Sequence, residues 1–123
     1  MRNMTRLLTV LADPTRLRLV RLLFGQELCV CELVDALHMP QYKVSRHLRR
    51  MRAAGLVEAR RQGRWMHYRI GRQFEPGGRQ RELLVALEEG LARLPEARRD
   101  DGRLRKRLAL RQFGTCVVGK SLC

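Results

Sequence analysis

Two short amphipathic helical segments meet at a three-residue turn, and a strand–glycine–strand pattern follows at once. The first segment runs from about Leu28 to Leu37 and carries Val30, Leu33, Val34 and Leu37 on one face. His38-Met39-Pro40 then leaves room only for a tight reversal. The second segment, Gln41–Ala54, turns Val44, Leu48 and Met51 inward and stops at Gly55. Helices of this length joined so closely predict a helix-turn-helix. Beyond Gly55, Leu56–Arg61 and Arg64–Ile70 flank Gln62-Gly63 as the two arms of a hairpin. Along the second arm Met66, Tyr68 and Ile70 point one way, and Trp65, His67 and Arg69 the other. A hairpin placed directly after a helix-turn-helix is a wing.

The flanking sequence completes one domain. Leu7, Leu8 and Leu11 share a helical face, which predicts a first helix over Met4–Ala12. Asp13-Pro14 restarts the chain, with Asp13 as cap and Pro14 in the first turn of a second helix. Leu17, Val20, Leu23 and Phe24 form that helix's inner face, and Gly25 ends it. A late helix begins at Arg79, bears Leu83, Leu84, Leu87, Leu91 and Leu94, and breaks at Pro95. The expected fold is therefore mainly α with a β-hairpin wing, in the order α-α-α-α-β-β-α. Residues 1–94 are expected to form the folded unit, and residues 95–123 a basic, cysteine-containing tail with one short helix near Arg103–Arg111.

Charge narrows the partner. The 123 residues hold 26 Lys and Arg against 12 Asp and Glu, a net +14. Such a surface attracts polyanions, nucleic acid before an anionic membrane. Nearly all the cations are Arg, whose planar fork pairs with phosphate and with guanine. On the second helix of the pair, inward Val44, Leu48 and Met51 leave Gln41, Tyr42, Lys43, Ser45, Arg46 and Arg49 outward, with His47 at the helix edge. Gln and Arg match adenine and guanine edges in the major groove, and Ser and Lys suit phosphates. Arg60, Arg61 and Arg64 cluster at the hairpin tip, within reach of a DNA backbone or minor groove. Pro40 stands before this helix, so Pro geometry rather than a side-chain cap must secure its start.

No apolar stretch approaches the roughly 18 residues of a membrane span, and a cytoplasmic address is expected. There the four cysteines, Cys29, Cys31, Cys116 and Cys123, should be thiols. Cys29-Val30-Cys31 sits at the start of the helix that braces the exposed one. Thiolates suit soft ions such as As(III), Sb(III), Cu(I) or Cd(II), and a helix N-terminus is expected to lower a thiol pKa. Residues i and i+2 lie about 200° apart around a helix. Both sulfurs therefore cannot grip one ion from an intact helix. Either one precedes the helix, or ligation unwinds its first turn. Arg79–Leu94 contains no His, and His38, His47 and His67 lack ligand spacing.

Several segments together resemble the ArsR/SmtB family of metal-sensing repressors, and most closely its arsenical-resistance members. They are Asp13-Pro14-Thr15-Arg16-Leu17, Glu27 through Leu33, Val44-Ser45-Arg46-His47-Leu48, Ala54-Gly55-Leu56-Val57 and Gly63 through Arg69. The resemblance covers about residues 5–94. It implies a homodimeric winged helix-turn-helix that represses from double-stranded, inverted-repeat operator DNA until As(III) or Sb(III) arrives, with other thiophilic ions such as Cd(II) as further inducers. As(III) favours three sulfurs, and arsenical sensors often carry a third Cys where this chain has Val34. A solvent or small-thiol ligand, Cys116 or Cys123 from the tail, or a different inducer would each account for the gap.

The leucine stripe Leu83, Leu84, Leu87 and Leu91 is too apolar for a lone surface helix. It either covers the core or pairs with Leu7, Leu8 and Leu11 of a second copy across a two-fold axis. Two other readings remain: a thiol-based redox-sensing repressor, and a non-specific nucleic-acid-binding protein driven by the basic tail. No paired carboxylates, nucleophile–base pair or phosphate loop points to an enzyme.

Overall fold

The computed structural model describes residues 1–112, 114 and 116. In chain order the elements are α1 (Arg2–Leu11), α2 (Pro14–Leu23), β1 (Leu28–Cys29), α3 (Val30–Leu37), α4 (Gln41–Ala53), β2 (Val57–Gln62), β3 (Trp65–Ile70), a 3-10 turn at Arg72–Phe74, α5 (Arg81–Leu91) and α6 (Pro95–Leu108). This is the expected winged helix-turn-helix, with one extra strand and one long extra helix.

The helix starts follow local chemistry. Asp13 Oδ2 accepts from the Arg16 backbone N–H at 3.0 Å, and Pro14 occupies the first turn of α2. Pro40 precedes α4 without a side-chain cap, and its carbonyl accepts from Lys43 and Val44 instead. The reversal between α3 and α4 rests on His38, which closes α3 in the left-handed region at φ 56°. The core runs through every helix: Leu19, Leu22 and Leu23 from α2, Leu33 and Leu37 from α3, Val44, Leu48 and Met51 from α4, Leu84 from α5 and Leu104 from α6. Each fully buried leucine contributes roughly 1.5–3 kcal/mol.

Three expectations need correction. The segment before α3 is not helical from Leu28, because Leu28 and Cys29 form β1, the outer strand of an antiparallel sheet ordered β1-β3-β2. The hairpin turn is Gly63-Arg64 rather than Gln62-Gly63, since Gln62 pairs with Trp65. Gly63, at φ 62°, supplies the positive φ that a two-residue hairpin needs at its first position. The third correction concerns Pro95, which opens α6 at its first turn; the preceding helix has already ended at Leu91.

Helix α6 therefore replaces the short helix expected near Arg103–Arg111. It buries Ala97, Asp100, Leu104 and Arg107, spaced three and four apart, and packs along α3. Asp100 is buried and accepts from Arg18 Nε at 2.9 Å, Arg18 Nη2 at 2.8 Å and Arg103 Nη2 at 2.8 Å. Arg103 Nε and Arg18 Nη2 also donate to the carbonyls of Ala36 and Leu37, at 2.7 and 3.1 Å. The last carbonyls of α3 are thus satisfied by guanidinium groups. Arg107 pairs with Asp35 at 3.3 Å, and Arg111 pairs with Glu32. Arg103, Arg107 and Arg111, four apart in sequence, line up along α3.

Candidate nucleic-acid interface and thiol site

Helix α4 stands out from the core with its apolar side buried. Tyr42, Lys43, Arg46 and Arg49 are exposed, while Gln41, Ser45 and His47 are half-buried. Gln41 Nε2 donates to Ser45 Oγ at 2.8 Å, which fixes these two polar groups as a unit. His47 Nδ1 meets Arg16 Nη1 at 3.2 Å, so its ring joins α4 to α2. Burial chiefly, with the surrounding arginines, holds the His47 pKa below its ordinary value. Arg61 and Arg64 are exposed at the tip of the hairpin, and Arg64 stacks on Trp65 at 4.7 Å. Arg60 differs from its neighbours, because it forks onto Glu27 with Nε at 2.9 Å. The basic helix and the basic hairpin tip sit on exposed surface, as expected for contacts with a polyanion.

The leucines divide. Leu7, Leu11 and Leu84 are buried within the chain, and Leu83 and Leu87 pack partly against the same core. Leu8 is exposed, and Leu91 lines an apolar cavity of about 330 Å³ with Leu17, Leu94 and Ala97.

The thiol site lies at the start of α3. Cys29 is the cap residue immediately before the helix, and Cys31 lies inside its first turn. Of the two options left by the spacing, the first is the one observed. The Cys29 side chain accepts from the Glu32 backbone N–H, and Glu32 returns the bond by accepting from Cys29 N at 3.0 Å. From the other end of the chain, Cys116 brings its Sγ to 3.0 Å from Cys29 Sγ. Cys29, Cys31 and Cys116 form one buried cluster beneath Trp65. Cys31 is disulfide-bonded, whereas Cys29 and Cys116 are thiols. Cys123 lies outside the described residues.

The electrostatics run against the expectation of a lowered thiol pKa at Cys29. Burial first, then the hydrogen bond to Cys116, push this thiol up from 9.0 to about 12. The helix N-terminus is outweighed because the thiol is desolvated and faces the Glu32 carboxylate. Burial alone would raise Glu32 as well. Arg111, whose Nε and Nη2 both donate to it, and the Cys29 N–H more than reverse this and hold its pKa below the usual value. Arg107 Nη2 approaches Cys116 Sγ at 3.5 Å. Among the described residues, Cys29, Glu32 and Cys116 offer ligand atoms within 4.8 Å of one another.

One residue that the sequence reading set aside for want of ligand spacing lies beside this site. His67 faces Cys29 directly across β1 and β3, and its register partner on the other side is Arg60. It is buried, and its Nε2 has no hydrogen-bond partner. The only signal in the sequence was its position two residues from Trp65 on one strand face.

Comparison with known proteins agrees with this architecture. Residues 13–59 match the model of the bacterial regulatory protein arsR family. The chain is 52% identical over 65 residues to the arsenical resistance operon repressor of Escherichia coli K12, covering 52% of this chain and 56% of that protein. It is 51% identical over 61 residues to an arsenic resistance transcriptional regulator of Pseudomonas putida, covering 49% and 48%. The matched stretch thus spans about half the length of these curated relatives. Among solved structures, a homodimeric winged helix-turn-helix DNA-binding domain from Mycobacterium bovis is similar with a TM-score of 0.60 and 32% identity, over 76% of this chain and 85% of that one. The HlyU protein of Vibrio cholerae has a TM-score of 0.60 and 29% identity, over 76% and 91%. Motif order, winged fold and these likenesses agree, and the chain belongs to the ArsR family of bacterial regulatory proteins.

Proposed function

We propose that this chain is a homodimeric transcriptional repressor that grips operator DNA and releases it when As(III) or Sb(III) is captured by buried sulfurs. In the DNA-bound state Arg46, Arg49, Tyr42 and Gln41 read base edges, while Lys43, Ser45, Arg61 and Arg64 hold phosphates. The sensing sulfurs are Cys29 and Cys116, joined by Cys31 once it is reduced. The observation that carries this reading is the approach of Cys116 to 3.0 Å from Cys29. It supports the tail as the source of the sulfur missing at Val34. No described helix is long and apolar enough to cross a membrane.

The switch follows from the position of Cys29. Its sulfur closes the capping box that starts α3. An ion that takes this sulfur withdraws the cap from Glu32 N, and the first turn of α3 loosens. Leu33 and Leu37 of α3 share the core with Val44 and Leu48 of α4, so α4 moves with its brace. A coupling of about 1–3 kcal/mol lowers operator affinity roughly 5–150-fold.

Fluorescence anisotropy on a palindromic fragment from upstream of the gene, with arsenite added to reduced protein, tests this. Cys29→Ser and Cys116→Ser should bind DNA normally and need at least tenfold more arsenite for release. Release of either variant at the unmutated protein's arsenite concentration would refute the assignment.

A redox reading has one observation in its favour. Cys31 is already disulfide-bonded, and the Cys29 and Cys116 thiols lie close together. Release by peroxide, with no response to arsenite under reducing conditions, would select it.

A further inference from the structure

The first helix of a helix-turn-helix ordinarily lies across the phosphate backbone while the second enters the major groove. In this chain the first helix has little surface to offer. Seven of the eight residues of α3 are buried, and the eighth, Asp35, is a half-buried anion held by Arg107 at 3.3 Å. Outside α3 stands α6, which runs antiparallel to it. Arg103 reaches the Ala36 carbonyl near the end of α3, and Arg107 and Arg111 reach Asp35 and Glu32 nearer its start. The N-terminal half of α6 therefore lies beside the reversal that leads into α4.

The outward face of α6 is basic. Arg98, Arg99, Arg105 and Lys106 are exposed, and among the described residues none of their side chains has an ion pair or hydrogen bond. Of the two exposed acids on this helix, Asp101 is engaged by Arg21. The other, Glu96, sits in the first turn, where the helix dipole favours an anion. Arg98 and Arg105 form one row and Arg99 and Lys106 a second, each pair two turns apart, about 10.5 Å along the axis. Phosphates of one DNA strand rise about 3.4 Å apiece, so the two cations of a row reach separate phosphates. Arg103 stands between Arg99 and Lys106, 34% exposed. Like charges three and four apart on a helix repel. Asp100 offsets this at Arg103, and a row of phosphates would offset it along the whole helix.

We propose that the outward face of α6 is a second DNA-contacting surface, which holds the phosphate backbone next to the bases read by α4. The inference rests on the reading of α4 as the DNA-reading helix and adds contacts made by a different element. Two observations favour DNA over other anionic partners. The face continues the basic surface of α4, whose Lys43, Arg46, Arg49 and Arg50 are exposed, across a reversal, His38-Met39-Pro40, that carries no acid. A membrane surface calls for apolar side chains on the docking face, and from Arg98 to Lys106 every exposed side chain is charged.

Such contacts carry no base preference, because cations on phosphate neutralise charge without touching base edges. Their signature is salt dependence. Each phosphate neutralised adds about 0.9 to the slope of log affinity against log salt.

The test measures fluorescence anisotropy of the reduced full chain on the upstream palindromic duplex and on a scrambled duplex of equal length, at several salt concentrations. The quadruple variant Arg98→Gln, Arg99→Gln, Arg105→Gln, Lys106→Gln should weaken binding to both duplexes by a similar factor, about tenfold or more, and lower the salt slope by about two or more. Its urea midpoint should match the parent's, since Gln suits a helix as well as Arg does. Arg98→Lys, Arg99→Lys and Arg105→Lys together keep the charge and should keep the parent's slope. Arg79→Gln with Arg93→Gln removes two exposed cations on either side of α5 and should change the slope by less than about 0.5, since charges beyond about 10 Å are screened. The proposal is overturned if the quadruple variant keeps the parent's slope, which would return this face to an acidic protein or another partner. It is equally overturned if binding to the palindrome alone weakens, or if the α5 control lowers the slope as much for each charge removed. A parent that binds both duplexes equally, or whose preference survives Arg46→Ala and Arg49→Ala, would instead remove the underlying reading of α4.

Discussion

Glu32→Gln isolates the bond that fastens the end of the chain to α3. Glu32 is fully buried and holds three donors: Arg111 Nε, Arg111 Nη2 and the Cys29 N–H. Gln has one acceptor oxygen, which at the Oε1 position keeps the Cys29 N–H and Arg111 Nη2 bonds, but its NH2 group then faces Arg111 Nε, donor against donor. Breaking a buried pair by removing one partner typically costs about 3–5 kcal/mol. Arg111 is 25% exposed and can turn toward water, which brings the expected loss down to roughly 2–3 kcal/mol. With a urea m-value of about 1–3 kcal/mol/M for a domain of this size, the midpoint should fall by about 1–2 M with m unchanged. Arg111→Met alone should cost a similar amount, and the double variant should cost far less than the sum, with a coupling of at least about 1.5 kcal/mol. The pH dependence carries a definite sign. The folded Glu32 pKa lies below its ordinary 4.5, so its contribution is fully present above that value and disappears as pH falls through the folded pKa. Acid should destabilise the parent below about pH 4.5, and this part of the slope should be missing in Glu32→Gln. A coupling under about 0.5 kcal/mol, or an unchanged acid limb, would refute the buried pair as the fastening.

Three further outcomes follow from other parts of the molecule. Arg46→Ala or Arg49→Ala should weaken operator binding by about 1–3 kcal/mol and relax base preference, whereas Arg61→Ala should weaken all sequences alike and reduce the salt slope by about one; anisotropy titrations at several salt concentrations separate the two. Leu48→Ala, at a fully buried core position, should lower stability by about 2–5 kcal/mol in urea unfolding without exposing new thiols to a thiol reagent under native conditions. His38→Gly should raise stability by about 0.5–1 kcal/mol, since His38 sits at φ 56° where a side chain is strained; a drop in the thermal midpoint would count against this account of the α3–α4 turn.

The parts of the fold legible in the sequence were those specified by neighbours in the chain. Val44, Leu48 and Met51 gave α4 its period, Asp13-Pro14 gave α2 its start, and Gly55 and Gly63 marked turns whose φ is positive. Strand β1 was not legible, because two residues show no alternation and Leu28-Cys29 runs without a break into the helical pattern of Val30 and Leu33. Helix α6 was hidden for a different reason. Its buried face includes Asp100 and Arg107, which a pattern of apolar residues cannot reveal. They tolerate burial because distant partners meet them: Arg18, 82 positions away in sequence, gives Asp100 two hydrogen bonds, and Asp35 pairs with Arg107. The thiol site divides along the same line. Cys29 and Cys31 were marked by their place before a helix, whereas their meeting with Cys116 depends on the path of α6, and His67 depends on the register that β1 creates.

Seven of the chain's cations, from Arg98 to Arg111, suggested a free arm for polyanions. Several of them are held inside the molecule. Arg103, Arg107 and Arg111 bind the Ala36 carbonyl, Asp35 and Glu32 in turn, so α3 is gripped from its last turn to its first. This bears on the proposed switch. A helix fastened at one end could absorb a pull at the other by sliding along its axis. Here the C-terminal carbonyls are held by Arg18 and Arg103, and sliding would break those bonds together with the Asp100 pairs. Displacement at Cys29 therefore has to tilt α3 or unwind its first turn, and either movement presses on Val44 and Leu48 beneath it. The strap also sets the direction of the response. Arg111 is fastened to Glu32 five residues before Cys116 meets Cys29, so Arg111→Met should weaken arsenite capture and arsenite-driven DNA release together, leaving operator affinity without arsenite within about twofold. Release at unchanged arsenite concentration in that variant would mean that the sulfurs meet without the strap.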